Sequence, residues 1–337
     1  MNKRALNLIQ YVIFLGLGIF LVWWSIGKIE HKDWVDIKSA FRRADYSLII
    51  PVVLALLVSH LSRAIRWKIL MQPMGYNPSI LNTYLAVLVG YLANLAVPRL
   101  GEVLKCTFLS RYEKVPADKL VGTIVAERAF DLVCLAIVFI VTFFSQIEII
   151  GDYASESLRN VFSNKSHHFN WTRLVIVVVL IFITLMVLRW IFRRFAHVSL
   201  VQKIKEIIAN IWHGLTSIRS LKNKGWFIFH TVLIWTLYLL SIRMGMYAMK
   251  ETRVYGARES FSVLCMGSIG MIGTQGGIGL YPIMVQKTMM LYGLGENLAK
   301  AFGWLLWLVQ FFMVLIFGSL SLAILPAINR KKQNEKP

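Results

Sequence analysis

The sequence predicts an all-α fold: a polytopic membrane helix bundle of six full spans plus two re-entrant broken-helix hairpins. Three observations carry that reading. Apolar residues make up 57% of the 337 positions, against about 45–50% in soluble proteins. Charged residues make up 16%, where roughly 25% is usual, and the mean hydropathy is +0.61. The apolar residues are also gathered into runs of about 20 residues, the length needed to cross about 30 Å of hydrocarbon. The whole chain, 1–337, therefore reads as a single integral membrane domain.

The first apolar run covers 8–27. It follows Lys3 and Arg4, ends in Trp23-Trp24 and has no A-x-A cleavage site after it, so it reads as a signal anchor and first span. A short apolar stripe in the next loop carries Trp34, Ile37 and Phe41. Further full-length segments run 48–70, 119–147, 171–191, 226–247 and 300–325. Two others, 80–112 and 259–292, are apolar but interrupted, the first at Pro98-Arg99-Leu100-Gly101 and the second at Gly273–Gly279 (GTQGGIG). Between them the stretch 193–224 forms a cationic linker. Ile204, Ile207, Ile208, Ile211, Leu215 and Ile218 fall on one stripe of it, as expected for an amphipathic helix on an anionic lipid surface or docked on the bundle.

Cation placement decides how the interrupted segments are threaded. Lys and Arg favour the cytoplasmic side. If both segments cross, most loop cations fall outside; if both dip in and return, most fall inside, the linker among them. The second arrangement puts both termini in the cytoplasm, with one hairpin entering from each side. The first half, 1–147, and the second, 171–325, then each contain one broken segment. Such pairing points to an inverted repeat with a binding site where the breaks meet. Kinked packing helices are the alternative.

The first break carries the densest polar cluster, NLAVPRLGEVLK, with Asn94, Pro98, Arg99, Gly101, Glu102 and Lys105. Arg99, Glu102 and Lys105 are three apart and share roughly one helical face. The following span contains VAERAFD, in which Glu127 and Asp131 are four apart with Arg128 beside them. Each such charge costs about 2.5–3.5 kcal/mol at the centre of an inserted helix. Two explanations remain open: an internal ion-pair network of Arg99 or Lys105 with Glu127 or Asp131, or a polar path for a charged head group. His60, Arg63 and Trp67, with Arg66 nearby, follow helical spacing on the second span. They suit either a phosphate held by guanidinium forks or snorkelling at the interface.

The N-x-x-x-P-R-x-G-E and E-R-x-x-D segments resemble the transmembrane region of bacterial lysylphosphatidylglycerol synthases and related stand-alone flippase-like membrane proteins. GGIG before an apolar helix is similar to that family's second motif. The resemblance covers about residues 8–325. It implies a lipid-handling role and a substrate site at Asn94, Pro98, Arg99, Gly101, Glu102, Glu127, Arg128 and Asp131, and at Gly276, Gly277 and Gly279 beside Gln275. Lys105 and Arg66 join these as cations within reach. Two departures matter. Many relatives have an acidic residue three positions after the last glycine, where this chain has Pro282, so the second site is less acidic. No segment matching the synthases' soluble aminoacyl-transfer domain follows residue 325, so lipid modification is not implied.

Enzymatic motifs are missing from the sequence: no G-x-S-x-G elbow, no H-E-x-x-H, and no Walker Lys-Ser/Thr after the glycine run. Cys106, Cys134 and Cys265 show no metal or disulfide spacing, and His167-His168 has no carboxylate or thiol at ligand spacing. The net charge of +20 is what cationic cytoplasmic loops produce, so no nucleic-acid partner is expected, and neither is a cofactor or metal. The expected function is a flippase or scramblase moving an anionic phospholipid or polyprenyl-phosphate-type lipid in a bacterial inner membrane. A membrane-embedded transferase or hydrolase with Glu127 or Asp131 as base, or a non-catalytic scaffold subunit, is the alternative. The oligomeric state stays open, a homodimer included.

Overall fold

The computed structural model describes residues 31–97, 99–146 and 221–334, together with Trp23 and Met186. The expected spans 8–27 and 171–191, linker residues 193–220, His167-His168 and Pro98 lie outside the described residues. Among those described, every regular element is helical. The α-helices are α1 (His31–Arg43), α2 (Ile49–Met71), α3 (Ile80–Ala96), α4 (Leu100–Glu113), α5 (Ala117–Ser145), α6 (Lys224–Ala248), α7 (Ala257–Gly273), α8 (Leu280–Leu291) and α9 (Glu296–Asn334).

Helix ends follow local chemistry. Asp45 caps the 3-10 turn leading into α2, its Oδ1 accepting from the Ser47 amide at 3.1 Å, which satisfies an orphan first-turn donor. At the start of α7, the Glu259 carboxylate accepts from the Gly256 amide at 2.5 Å, half of a capping box. Pro282 sits in the first turn of α8, where its missing N–H costs no helical bond.

Among the described residues, three segments are long and apolar enough to cross a membrane: Tyr46–Met74, Lys224–Ala248 and Glu296–Arg330. Helix α3 is apolar but shorter. Helix α5 runs 29 residues, and its second half exposes Ile137, Phe139, Ile140, Phe143 and Phe144.

The interrupted segments are hairpins. Gly90 of α3 faces Gly101 and Lys105 of α4, and the Gly101 amide donates to Asn94 Oδ1 at 2.8 Å. A continuous kinked helix would hold those positions several turns apart. In the second segment Gly270 of α7 lies against Tyr281 of α8. The hairpins open toward opposite ends of the molecule. Asn82, near the start of α3, donates to Glu113 at the end of α4 at 2.5 Å and to Asn329 at 3.1 Å, and Asn223 donates to Gln72 at 3.3 Å. At the other end the Asp45 amide donates to the Ala248 carbonyl at 2.7 Å. There too Gln146 donates to Ser262, and the Tyr255 hydroxyl donates to the Tyr292 carbonyl at 3.3 Å.

The order long helix, hairpin, long helix thus occurs twice, as α2–α3/α4–α5 and α6–α7/α8–α9. Helices α2 and α6 pack along each other, α9 packs on α3, and α5 packs on α7. Buried side chains gather in one cluster around Met246, Met289 and Phe302 of the second half and another around Trp67, Leu109 and Phe227. A third, with Val52, Leu56, Met313 and Val314, joins α2 to α9.

Candidate functional site

Helix α2 presents Arg63 and Arg66, three apart, toward Glu127 and Asp131 of α5, four apart, so both pairs lie on facing helical surfaces. Arg63 Nη1 lies 2.7 Å from Glu127 Oε1 and 2.6 Å from Asp131 Oδ2. Arg66 Nη2 lies 2.6 Å from Asp131 Oδ1. Lys105, brought in by α4, approaches Glu127 Oε2 at 2.9 Å. All four carboxylate oxygens therefore accept charge-assisted bonds, the stronger kind in a low-dielectric interior. Glu127 and Arg66 are 0% exposed and Arg63 4%.

Surrounding groups fix these ions in place. Tyr238 of α6 accepts from Arg63 Nη2 at 3.2 Å, and Thr231 accepts from Arg66 Nη1 at 3.4 Å. The Lys105 ammonium lies 4.6 Å from the Trp67 ring centroid, and Trp67 donates to Thr123 Oγ1 at 2.8 Å. Arg128 is held differently. Its guanidinium is 3.9 Å from both Glu102 and Asp131, and its side chain is 48% exposed. The cluster contains four cations and three carboxylates, so one positive charge is in excess.

Arg63, Arg128, Asp131, Tyr91 and Tyr238 form the polar end of a cavity of about 370 Å³ between the two halves. Leu56, Leu135, Ile242, Val263, Leu264 and Met271 supply apolar walls. A second chamber of about 40 Å³ adjoins it within the first hairpin, sharing Arg63, Tyr91 and Arg128 and adding Asn94, Glu102 and Lys105.

The two breaks meet. Gln275 Nε2 donates to the Leu95 carbonyl at 2.7 Å, an acceptor orphaned at the end of α3. Trp307 Nε1 donates to the Gly276 carbonyl at 3.0 Å. Gly276, Gly277 and Gly279 have φ of 58°, 72° and 73°, a region glycine occupies without penalty. These bonds account for unwound backbone inside a helical bundle, since its polar groups find protein partners.

A model of the lysylphosphatidylglycerol synthase transmembrane region matches residues 7–318. The chain belongs to this family. A UPF0104 membrane protein of Methanocaldococcus jannaschii is 33% identical over 87 residues, 25% of this chain and 26% of the relative. The chain thus spans about a quarter of that curated relative. No solved structure matches.

In this family member the structure draws Glu102, Lys105, Glu127, Arg128, Asp131 and Arg66 into one cluster. Asn94 and Gly101 pack the hairpin above it, with Gln275, Gly276 and Gly277 at the opposing tip. Arg99 stands apart. It caps α4 in a left-handed conformation with φ 63°, is exposed, and lines neither cavity. The neutralising role weighed for it against Glu127 or Asp131 falls to Arg63, Arg66 and Lys105. Nor do Arg63 and Arg66 snorkel, since both are buried. Their pairing was visible only as spacing, Arg63/Arg66 matching Glu127/Asp131, and spacing does not say which helices face each other. Among the described residues no group of His, Cys, Asp and Glu is placed to hold a metal.

Pro282 lies where α8 packs on Gly303 of α9. Its carbonyl lies 2.5 Å from where a Cβ on Gly303 would sit, so α8 and α9 approach closely there.

Proposed function

We propose that the protein is a flippase or scramblase that carries an anionic lipid between leaflets without altering it. The observation that carries this reading is the cavity whose one end is charged and whose walls are apolar. A phospholipid or polyprenyl-phosphate head group belongs at Arg63 and Arg128, and its hydrocarbon belongs against the walls or in the bilayer. The excess cation favours an anionic head group. In this reading the hairpins re-enter a bacterial inner membrane from opposite faces, the first from the cytoplasm, within a bundle of six full spans and both termini inside. Glu127 and Asp131 serve as fixed counter-ions rather than as a general base, because every oxygen of theirs already accepts from a cation. The test is reconstitution in liposomes with a fluorescent phosphatidylglycerol on one leaflet. Redistribution with no new lipid product supports the proposal; a converted lipid, or no redistribution, overturns it.

A further inference from the structure

Among the described residues, the wall of the charged cavity is interrupted between α5 and α7. At one end of the molecule these helices are tied: Thr142 Oγ1 donates to the Phe261 carbonyl at 3.4 Å, and Gln146 donates to Ser262. Nearer the hairpin tips the cavity occupies the space between them, with Leu132 and Leu135 on one side and Ser268 and Ile272 on the other. The rim is exposed, Leu132 by 50% and Ile272 by 72%. The seam at the corresponding place in the repeated order, between α3 and α9, is closed. A Cβ on Gly318 would lie 2.7 Å from Leu92 Cβ and 3.1 Å from the Leu88 carbonyl.

We infer that the α5–α7 seam is a lateral portal that admits the head group of a singly charged anionic phospholipid while its acyl chains stay in the bilayer. This rests on the lipid-transport reading above. Three observations carry it. The cavity volume of about 370 Å³ is near the lower end of the roughly 300–1,000 Å³ that encloses a drug-sized ligand, so a head group fits and two acyl chains do not. The exposed rim side chains, Leu132 and Ile272, are aliphatic, matched to methylene chains rather than to water. Arg128, the cation with the longest ion-pair distances of the cluster, is half exposed and lines both cavities. Its charge is the one least committed to protein carboxylates, and one excess cation complements one phosphodiester charge.

The test bridges Leu132→Cys and Ile272→Cys in the folded, reconstituted protein with cleavable bifunctional thiosulfonates of graded length. Each single variant receives the same treatment as a control. The vesicles are phosphatidylcholine doped with labelled phosphatidylglycerol. Two quantities are read: transfer between leaflets, and exchange of the labelled lipid bound to the protein. Bridging is expected to abolish both, and reduction to restore both. Bridged protein that exchanges phosphatidylglycerol normally overturns the portal. Exchange of phosphatidylcholine as fast as phosphatidylglycerol overturns the charge selection. Exchange that bridging blocks, without any transfer between leaflets, supports the portal and overturns the transport reading alone.

Discussion

At the scale of single residues, Arg63 and Arg128 are expected to fail in different ways. Arg63 bonds Glu127 and Asp131 at 2.7 and 2.6 Å inside the protein. Arg63→Ala strands buried carboxylate charge, a loss of about 3–5 kcal/mol, and thermal unfolding in detergent should occur at a visibly lower temperature. Arg128 has two partners at 3.9 Å and a half-exposed side chain, an arrangement worth about 0–1 kcal/mol. Arg128→Ala should keep its melting temperature and lose lipid transfer in liposomes. Arg128→Lys should be impaired as well, since an ammonium cannot form the bidentate fork on phosphate. Normal transfer by Arg128→Ala would remove the head-group role from this residue.

At the scale of elements, the hairpin tips make the expectations. Gly276 has φ 58°, and an added Cβ would lie 2.7 Å from Leu95 Cδ2. Gly276→Ala therefore meets both a left-handed backbone, costing a non-glycine residue about 1–2 kcal/mol, and the opposing tip. Gln275→Ala removes the bond to the Leu95 carbonyl and leaves a partly buried acceptor without its protein partner, costing about 1 kcal/mol. Both should lower stability and transfer together. Gly122 in α5 is the contrast, because nothing lies within 4 Å of its added Cβ. Gly122→Ala should hold or raise the melting temperature, since alanine is favoured over glycine in helices by about 0.8–1.0 kcal/mol. A fall with Gly122→Ala comparable to that of Gly276→Ala would show that the loss is not specific to the hairpin tips.

At the scale of the whole molecule, the threading is open to direct test. Lys114 and Lys222 are exposed at the end where α4 stops and α6 starts, and Arg253 is exposed at the other. Cysteines placed at Lys114 and Lys222 should resist impermeant thiol reagents in intact cells, whereas one at Arg253 should react. Labelling of all three from outside would overturn the opposed hairpins as membrane elements.

Composition and the lengths of apolar runs were enough to determine that this is a helical membrane protein. Its two breaks were equally legible, because glycine and proline act locally on backbone geometry. The paired spacing of Glu127 and Asp131 was legible too, since a single helix sets it. What they pair with was legible only in part. The sequence offered Arg99 and Lys105 because they sit near in the chain; the structure keeps Lys105 on Glu127, leaves Arg99 outside, and adds Arg63 and Arg66 across 64 and 65 residues. The meeting of the breaks at Leu95 and Gln275 is likewise a contact over 180 residues. Helical periodicity fixes which residues share a face; only the packing of one helix against another decides which faces meet, and that choice assembled the charged cavity.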